Sequence, residues 1–234
     1  TGHLIILESS TYPGSTKNTI LPYLKNFKVG ENFFLGYSPE REDPNNNKFK
    51  IEKIPKVCSG FTNRCLNLVA HLYKNVVKEI VKVSNIETAE FTKLYENIYR
   101  SVNIGLVNEL KIISNKLNLN IYEIINAAKT KPFGFQAFYP GPGVGGHCIP
   151  VDPYYLTYVA KKKGVQTNMI YHAGKINSSM PKWIINETIK KILIKKALII
   201  GIAYKKDVDD VRESPAIKFF NILKKKKIYV EYYD

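Results

Sequence analysis

"KALIIGIAYKKDVDDVRESPAIKFFNILKKKKIYVEYYD", residues 196–234, decides the fold class. Its first nine residues are a short apolar, β-branched run, which reads as a buried strand. "KKDVDDVRE" (205–213) is a polar turn, "SPAIKFFNILKKKK" (214–227) has helical periodicity, and "IYVEYYD" (228–234) is again strand-like. Ser214 is placed to cap the helix with Pro215 at its first position, and the lysines of its last turn face the negative end of the dipole. Strand, crossover helix and strand make one βαβ unit, so the chain belongs to the α/β class.

Upstream, residues 1 to about 84 alternate apolar runs ("HLIILESS", "FFLGYS", "KVCSG", "KEIVKVS") with a helix-like stretch, "NRCLNLVAHLYKNV", as part of a sheet would. From Ile86 to about Leu117 the period is helical, and a second helix follows over Ile121 to Ala128. "YYLTYVAKKKG" and "YHAGKINSSMPKWIINETIKKIL" are also helix-like, with Pro181 marking a helix start or a break. A strand-like run at each extreme leads us to expect a segment of a longer protein, since strands need neighbours.

With 234 residues and 44% apolar content the chain can bury a proper core. It has no apolar run of membrane-spanning length and no secretory leader pattern, so a soluble cytoplasmic protein is expected. Three cysteines do not suggest a disulfide framework. The net charge of +15 invites a nucleic-acid reading. Yet the lysines are scattered or sit in short runs, Lys161–Lys163 and Lys224–Lys227, without the interleaved aromatics of an RNA-binding sheet. No nucleic-acid partner is expected.

"PGPGVGGHCIPVDP" (140–153) holds four glycines and four prolines around Cys148 and must be a rigid loop. Gly141, Gly143 and Gly146 match G-x-G-x-x-G, but without a preceding strand and a following helix the motif does not mean dinucleotide binding. Cys148 is either a buried apolar thiol, as Cys58 and Cys65 are expected to be, or a reactive one presented among polar residues four positions before Asp152. His147, its neighbour in an extended loop, points away and is badly placed as a base; no second Cys or His stands at zinc spacing, so no metal is expected.

On the long helix Glu90, Lys93, Asn97 and Arg100 fall within roughly an 80° arc, with Phe91, Leu94, Ile98 and Val102 on another side. That polar arc is either a solvated face or a convergent site, in which Lys93 and Asn97, four apart, could both donate to one oxyanion. Lys205, Lys206 and Arg212, between a strand and a helix N-terminus, suit either phosphate binding or a charged surface turn.

Taken together and in this order, "ESSTYPGST", "GYSPERED", "AEFTKLYENIYRSVNIGLVNEL", "PGPGVGGHCIPVDPYYL" and "GIAYKKDVDDVRESPA" resemble the UDP-sugar 6-dehydrogenases, the UDP-glucose/UDP-N-acetylmannosamine dehydrogenase family. "HCIPVDP" and "ENIYRSVN" resemble the branch acting on UDP-N-acetylhexosamines. The resemblance implies a partial Rossmann-type sheet over residues 1–84 (the C-terminal half of an NAD-binding domain). It implies a helical dimerisation domain with the cysteine loop over 85–188, and the N-terminal part of a UDP-sugar domain over 189–234. It implies oxidation of a UDP-N-acetylhexosamine at C6 to the uronic acid, for polysaccharide biosynthesis, with NAD as cofactor. Cys148 would be the nucleophile, Lys93 and Asn97 would hold the C6 oxygen, and Asp152 and Glu40 would serve hydrolysis. Ser10, with Glu40, would lie near the nicotinamide. Arg100, Tyr139, Gly141, Gly143, Lys205 and Arg212 would bind the sugar nucleotide, and His147 would be structural. The isolated segment is expected to turn over little; the competing reading is a non-catalytic dimerising scaffold or gene remnant.

Overall fold

A computed structural model describes residues 2–43, 46, 48–146 and 148–234. The elements, in order, are strands β1 (His3–Leu7), β2 (Phe33–Tyr37) and β3 (Lys56–Gly60), helix α1 (Asn63–Tyr73), strand β4 (Ile80–Lys82) and helices α2 (Ile86–Lys116), α3 (Ile121–Ala128), α4 (Asp152–Lys162) and α5 (Asn168–Lys191). Strand β5 (Lys196–Ile200), helix α6 (Pro215–Lys225) and strand β6 (Tyr229–Tyr233) complete the chain. They group into two compact units, residues 1–97 with 154–165, and residues 98–153 with 166–234. Helices α2 and α4 each run from one unit into the other.

In the first unit the strands lie in the order β1-β2-β3-β4. The sheet is mixed: β1 and β2 are parallel, β2 and β3 antiparallel, β3 and β4 parallel. The parallel pairing of Leu7 with Tyr37 places the carboxyl ends of β1 and β2 side by side. Helix α1 starts where Thr62 Oγ1 accepts from the Cys65 amide at 3.2 Å, a side-chain N-cap. It lies so close to β3 that a Cβ on Gly60 would sit 2.1 Å from the Leu66 nitrogen. Leu35, Tyr37, Cys58, Cys65, Val69, Ile86 and Leu94 are buried almost completely in this unit. Cys58 and Cys65 are thus the core thiols the sequence led us to expect.

In the second unit β5 and β6 pair in parallel through α6, from Lys196 opposite Tyr229 to Ile200 opposite Tyr233. Ser214 Oγ accepts from the Ala216 amide at 3.2 Å and donates to the Ile202 carbonyl at 2.7 Å, so the cap also ties α6 to the end of β5. Helices α2 and α5 approach closely at Gly105, where a Cβ would lie 2.9 Å from Ala173. Pro181 neither starts nor breaks α5; the helix passes through it with Met180 and Pro181 buried. Packing holds the helix where the missing amide removes one bond.

Candidate functional site

The carboxyl ends of parallel strands are where α/β sheets bind ligands, and Ser10 and Glu40 follow the ends of β1 and β2. The Glu40 amide donates to the Glu8 carbonyl at 3.3 Å, laying the two connections together. Glu40 Oε1 accepts from the amides of Arg41 (2.7 Å) and Glu42 (2.8 Å), and Oε2 accepts from Lys56 Nζ at 2.7 Å. Burial pushes the Glu40 carboxyl up, but the Lys56 hydrogen bond, the two amides and the Lys56 charge outweigh it and hold it below its ordinary value. Glu40 is therefore a well-ordered carboxylate. Its carbonyl oxygen accepts from Lys93 Nζ at 2.5 Å, and one turn of α2 further on Glu96 pairs with Arg41 at 2.8 Å. The structure thus brings Glu40 and Lys93 together.

The polar arc of α2 is solvated only in part. Glu90 and Asn97 are buried, whereas Phe91 is 45% exposed. Glu90 turns inward because its carboxylate accepts from the amides of Gly14 (2.5 Å) and Thr16 (2.9 Å) and from the Thr16 hydroxyl (2.6 Å), which closes the "PGST" turn on α2. Arg100 is exposed.

In the second unit Cys148 is half-buried. Its carbonyl accepts from the amides of Val151 (3.2 Å) and Asp152 (2.8 Å), a turn that leads directly into α4. Asp152, in the first turn of α4, is buried. A helix N-terminus favours negative charge, and so favours a thiolate close by. Cys148 also lies within electrostatic reach of Arg212. Arg212 is forked onto Asp210, Nε to Oδ1 at 3.0 Å and Nη2 to Oδ2 at 2.7 Å. First those hydrogen bonds and then the Asp210 charge raise its pKa further above the ordinary value. Its carbonyl accepts from the Gly146 amide at 3.1 Å. Lys205 is half-exposed, and Tyr139 is 48% exposed. His147 lies outside the described residues.

The glycines of the loop clear protein neighbours. Added Cβ atoms would come within 2.9 Å of the Asn177 carbonyl at Gly143, 2.7 Å of Tyr204 at Gly145 and 2.9 Å of the Tyr204 ring at Gly146. The element before them is helix α3, not a strand, so a dinucleotide pyrophosphate does not fit this G-x-G-x-x-G. Ser10 and Glu40 follow the carboxyl ends of β1 and β2, but among the described residues no strand, glycine turn and helix together form a dinucleotide pyrophosphate cradle. Among the described residues no cluster of side chains could hold a metal ion, and no helix is long and apolar enough to cross a membrane.

Two residues escaped sequence reading. Asn108 on α2 and Asn177 on α5 are buried, Asn108 Nδ2 donating to Asn177 Oδ1 at 2.9 Å. Asn108 Oδ1 accepts from the Gly141 amide at 2.9 Å. The only available signal was a polar residue on a helix whose neighbours are apolar.

These features sit on segments with known relatives. The model of the UDP-glucose/GDP-mannose dehydrogenase family, central domain, matches residues 87–179. That of the same family's UDP binding domain matches residues 198–234. The chain is 35% identical to a UDP-N-acetyl-D-glucosamine 6-dehydrogenase of Pseudomonas aeruginosa, over all of this chain and 57% of that protein. It is 40% identical to the CapL protein of Staphylococcus aureus, over 94% of this chain and 54% of that one. Among solved structures, the UDP-D-ManNAc dehydrogenase of Pyrococcus horikoshii superposes with a TM-score of 0.90 at 36% identity, over all of this chain and 57% of that one. The chain belongs to the UDP-glucose/GDP-mannose dehydrogenase family. It spans about half the length of the curated relatives it matches.

Proposed function

We propose that the chain is the central part of an NAD-dependent dehydrogenase that oxidises C6 of a UDP-N-acetylhexosamine, of the UDP-N-acetylmannosamine type, from alcohol to carboxylate. The observation that carries the reading is Cys148, on a family-matched segment, held just ahead of the α4 N-terminus and within reach of the Arg212 charge. Two NAD molecules, bound in turn, would each accept one of the two hydrides that this four-electron change releases. The chain's residues do the rest. The Cys148 sulfur forms a bond to C6 at the aldehyde level, and at the thioester level water adds to C6 and the C–S bond breaks, returning the thiolate and the carboxylate. Lys93 and Asn97 donate to the C6 oxygen while it carries negative charge. Asp152 orients the water, with Glu40 assisting and Ser10 flanking the nicotinamide. Arg100, Tyr139, Gly141, Gly143, Lys205 and Arg212 contribute to the UDP-sugar site, Arg212 by sharing its fork with Asp210.

In this reading the parts are the end of a cofactor domain (1–84), a dimerising helical domain (85–188) and the start of a UDP-sugar domain (189–234), working in the cytoplasm toward a polysaccharide. Because the described residues form no pyrophosphate cradle, the isolated chain reduces NAD slowly or not at all. The test is a thioester trap in a protein that carries these 234 residues within the full length of the relatives. Acid quenching during turnover with UDP-N-acetylmannosamine and NAD leaves a hydrolysable adduct on Cys148. Undiminished turnover in Cys148→Ala would sink the reading.

A further inference from the structure

We propose that Asn177, acting with Asn108, is a positioning residue for Cys148: the pair fixes the path of the Gly-Pro loop and so holds the thiol at the α4 N-terminus. The proposal rests on Cys148 being the nucleophile of the reading above.

Asn177 is a three-way hub inside the second unit. Its Oδ1 accepts from Asn108 at 2.9 Å and its Nδ2 donates to the Ser101 carbonyl at 3.0 Å, so the side chain bridges α5 to two points on α2. Its main-chain carbonyl stands four residues before Pro181, which has no N–H to give it. That carbonyl faces Gly143: a Cβ there would lie 2.9 Å from the oxygen, and Gly143 has φ +124°. Only glycine suits both the clearance and the backbone angle. Asn108 completes the hold by accepting from the Gly141 amide at 2.9 Å.

The close approach of α2 and α5 at Gly105 and Ala173 places the two amides within reach of each other. Both asparagines are buried, at 0% and 1% exposure, so removing either strands polar groups in a dry interior. Beyond Gly143 the loop meets Tyr204 and Pro215 and donates from Gly146 to the Arg212 carbonyl. It is therefore held on the helical side by the asparagines and on the α6 side by the 204–215 connection, and Cys148 follows two residues after the second hold.

The experiment measures alkylation of Cys148 by iodoacetamide in the 234-residue chain, followed by peptide mass spectrometry from pH 6 to 10, below the unfolding temperature. Asn108→Ala, Asn177→Ala and Gly143→Ala should each lower the rate at neutral pH by about fivefold and move the profile to higher pH, as Cys148 leaves its place ahead of the α4 N-terminus. Asn108→Ala combined with Gly143→Ala should be less than additive, since both release one hold. Ile185→Ala, in the same helix, should lower the unfolding midpoint and leave the profile in place. Should an asparagine variant fail to fold, Gly143→Ala decides from the loop side. An unchanged profile in folded variants would overturn the proposal. Alkylation needs no turnover, so a missing thioester would count against the dehydrogenase reading, while an unmoved profile would count against the positioning role.

Discussion

The ammonium group of Lys93 donates to the main-chain carbonyl of Glu40 at 2.5 Å. A lysine ammonium has three donors and no acceptor, and a carbonyl takes up one of them. For an oxyanion donor that is a useful arrangement. In the full-length setting Lys93→Met should lower kcat by about a hundredfold or more, with a smaller change in KM. Lys93→Arg should recover little of this, because the planar guanidinium cannot occupy the same point. Steady-state kinetics on both variants check it; a variant that lost only KM would make Lys93 a substrate-binding group instead.

The Glu40 carboxylate rests on Lys56, whose side chain is 7% exposed and also pairs with Glu8 at 3.1 Å. The folded Glu40 pKa lies below its ordinary 4.5, so its contribution to stability is complete above that value and is lost as pH falls through the folded one. Lys56→Met removes the cation and leaves the burial and the two amide hydrogen bonds, so the Glu40 pKa should rise from its folded value. Glu40 and Glu8 are half exposed, which limits the cost of the change to about 1–2 kcal/mol at neutral pH. Urea unfolding at pH 7 and pH 4 checks this: the gap between wild type and variant should narrow on acidification. A gap that widens would mean that the pair does not stabilise the fold through the carboxylate charge.

Glu90 anchors the turn after β1 with three accepted hydrogen bonds, two of them buried and the one from Gly14 part-buried. Glu90→Gln exchanges an acceptor oxygen for an NH2 that faces donors, which should cost about 2 kcal/mol and speed amide exchange at Gly14 and Thr16. Equilibrium unfolding and hydrogen exchange give the two readings. Loss of stability without faster exchange at those amides would place the effect elsewhere.

What the sequence made legible was local. Ser214 and Pro215 announce the start of α6 because capping and proline geometry act within one turn, and the apolar runs at His3–Leu7, Phe33–Tyr37 and Lys56–Gly60 are the strands observed. The antiparallel entry of β3 was not legible, since strand direction depends on the path of the connection rather than on strand composition. Helical periodicity also misjudged α2. It separated Glu90 from the apolar residues, yet Glu90 is buried by donors seventy-four and seventy-six residues away in sequence, while Phe91 is left in solvent. Cys148 stood out because glycine and proline mark a loop wherever they cluster. Asn108 and Asn177 did not, because a buried amide pair has no signature until two helices cross.

The outward face of α2 carries the last prediction. Phe91, Tyr95, Tyr99, Leu106, Leu110 and Ile113 are each between 43% and 63% exposed, and their spacings of four, four, seven, four and three keep them on one side of a single helix. The reading proposed above makes the helical region a dimerising one, and a second copy of the chain packed along α2 would cover this stripe. Leu106→Glu with Leu110→Glu puts two charges into the middle of the stripe without touching the inward face, where Asn108 lies buried. Sedimentation equilibrium should then show the wild-type chain as a dimer at micromolar concentration and the double variant as a monomer, with the far-UV circular dichroism unchanged. A monomeric wild type, or a double variant that stays dimeric, would remove α2 from the interface.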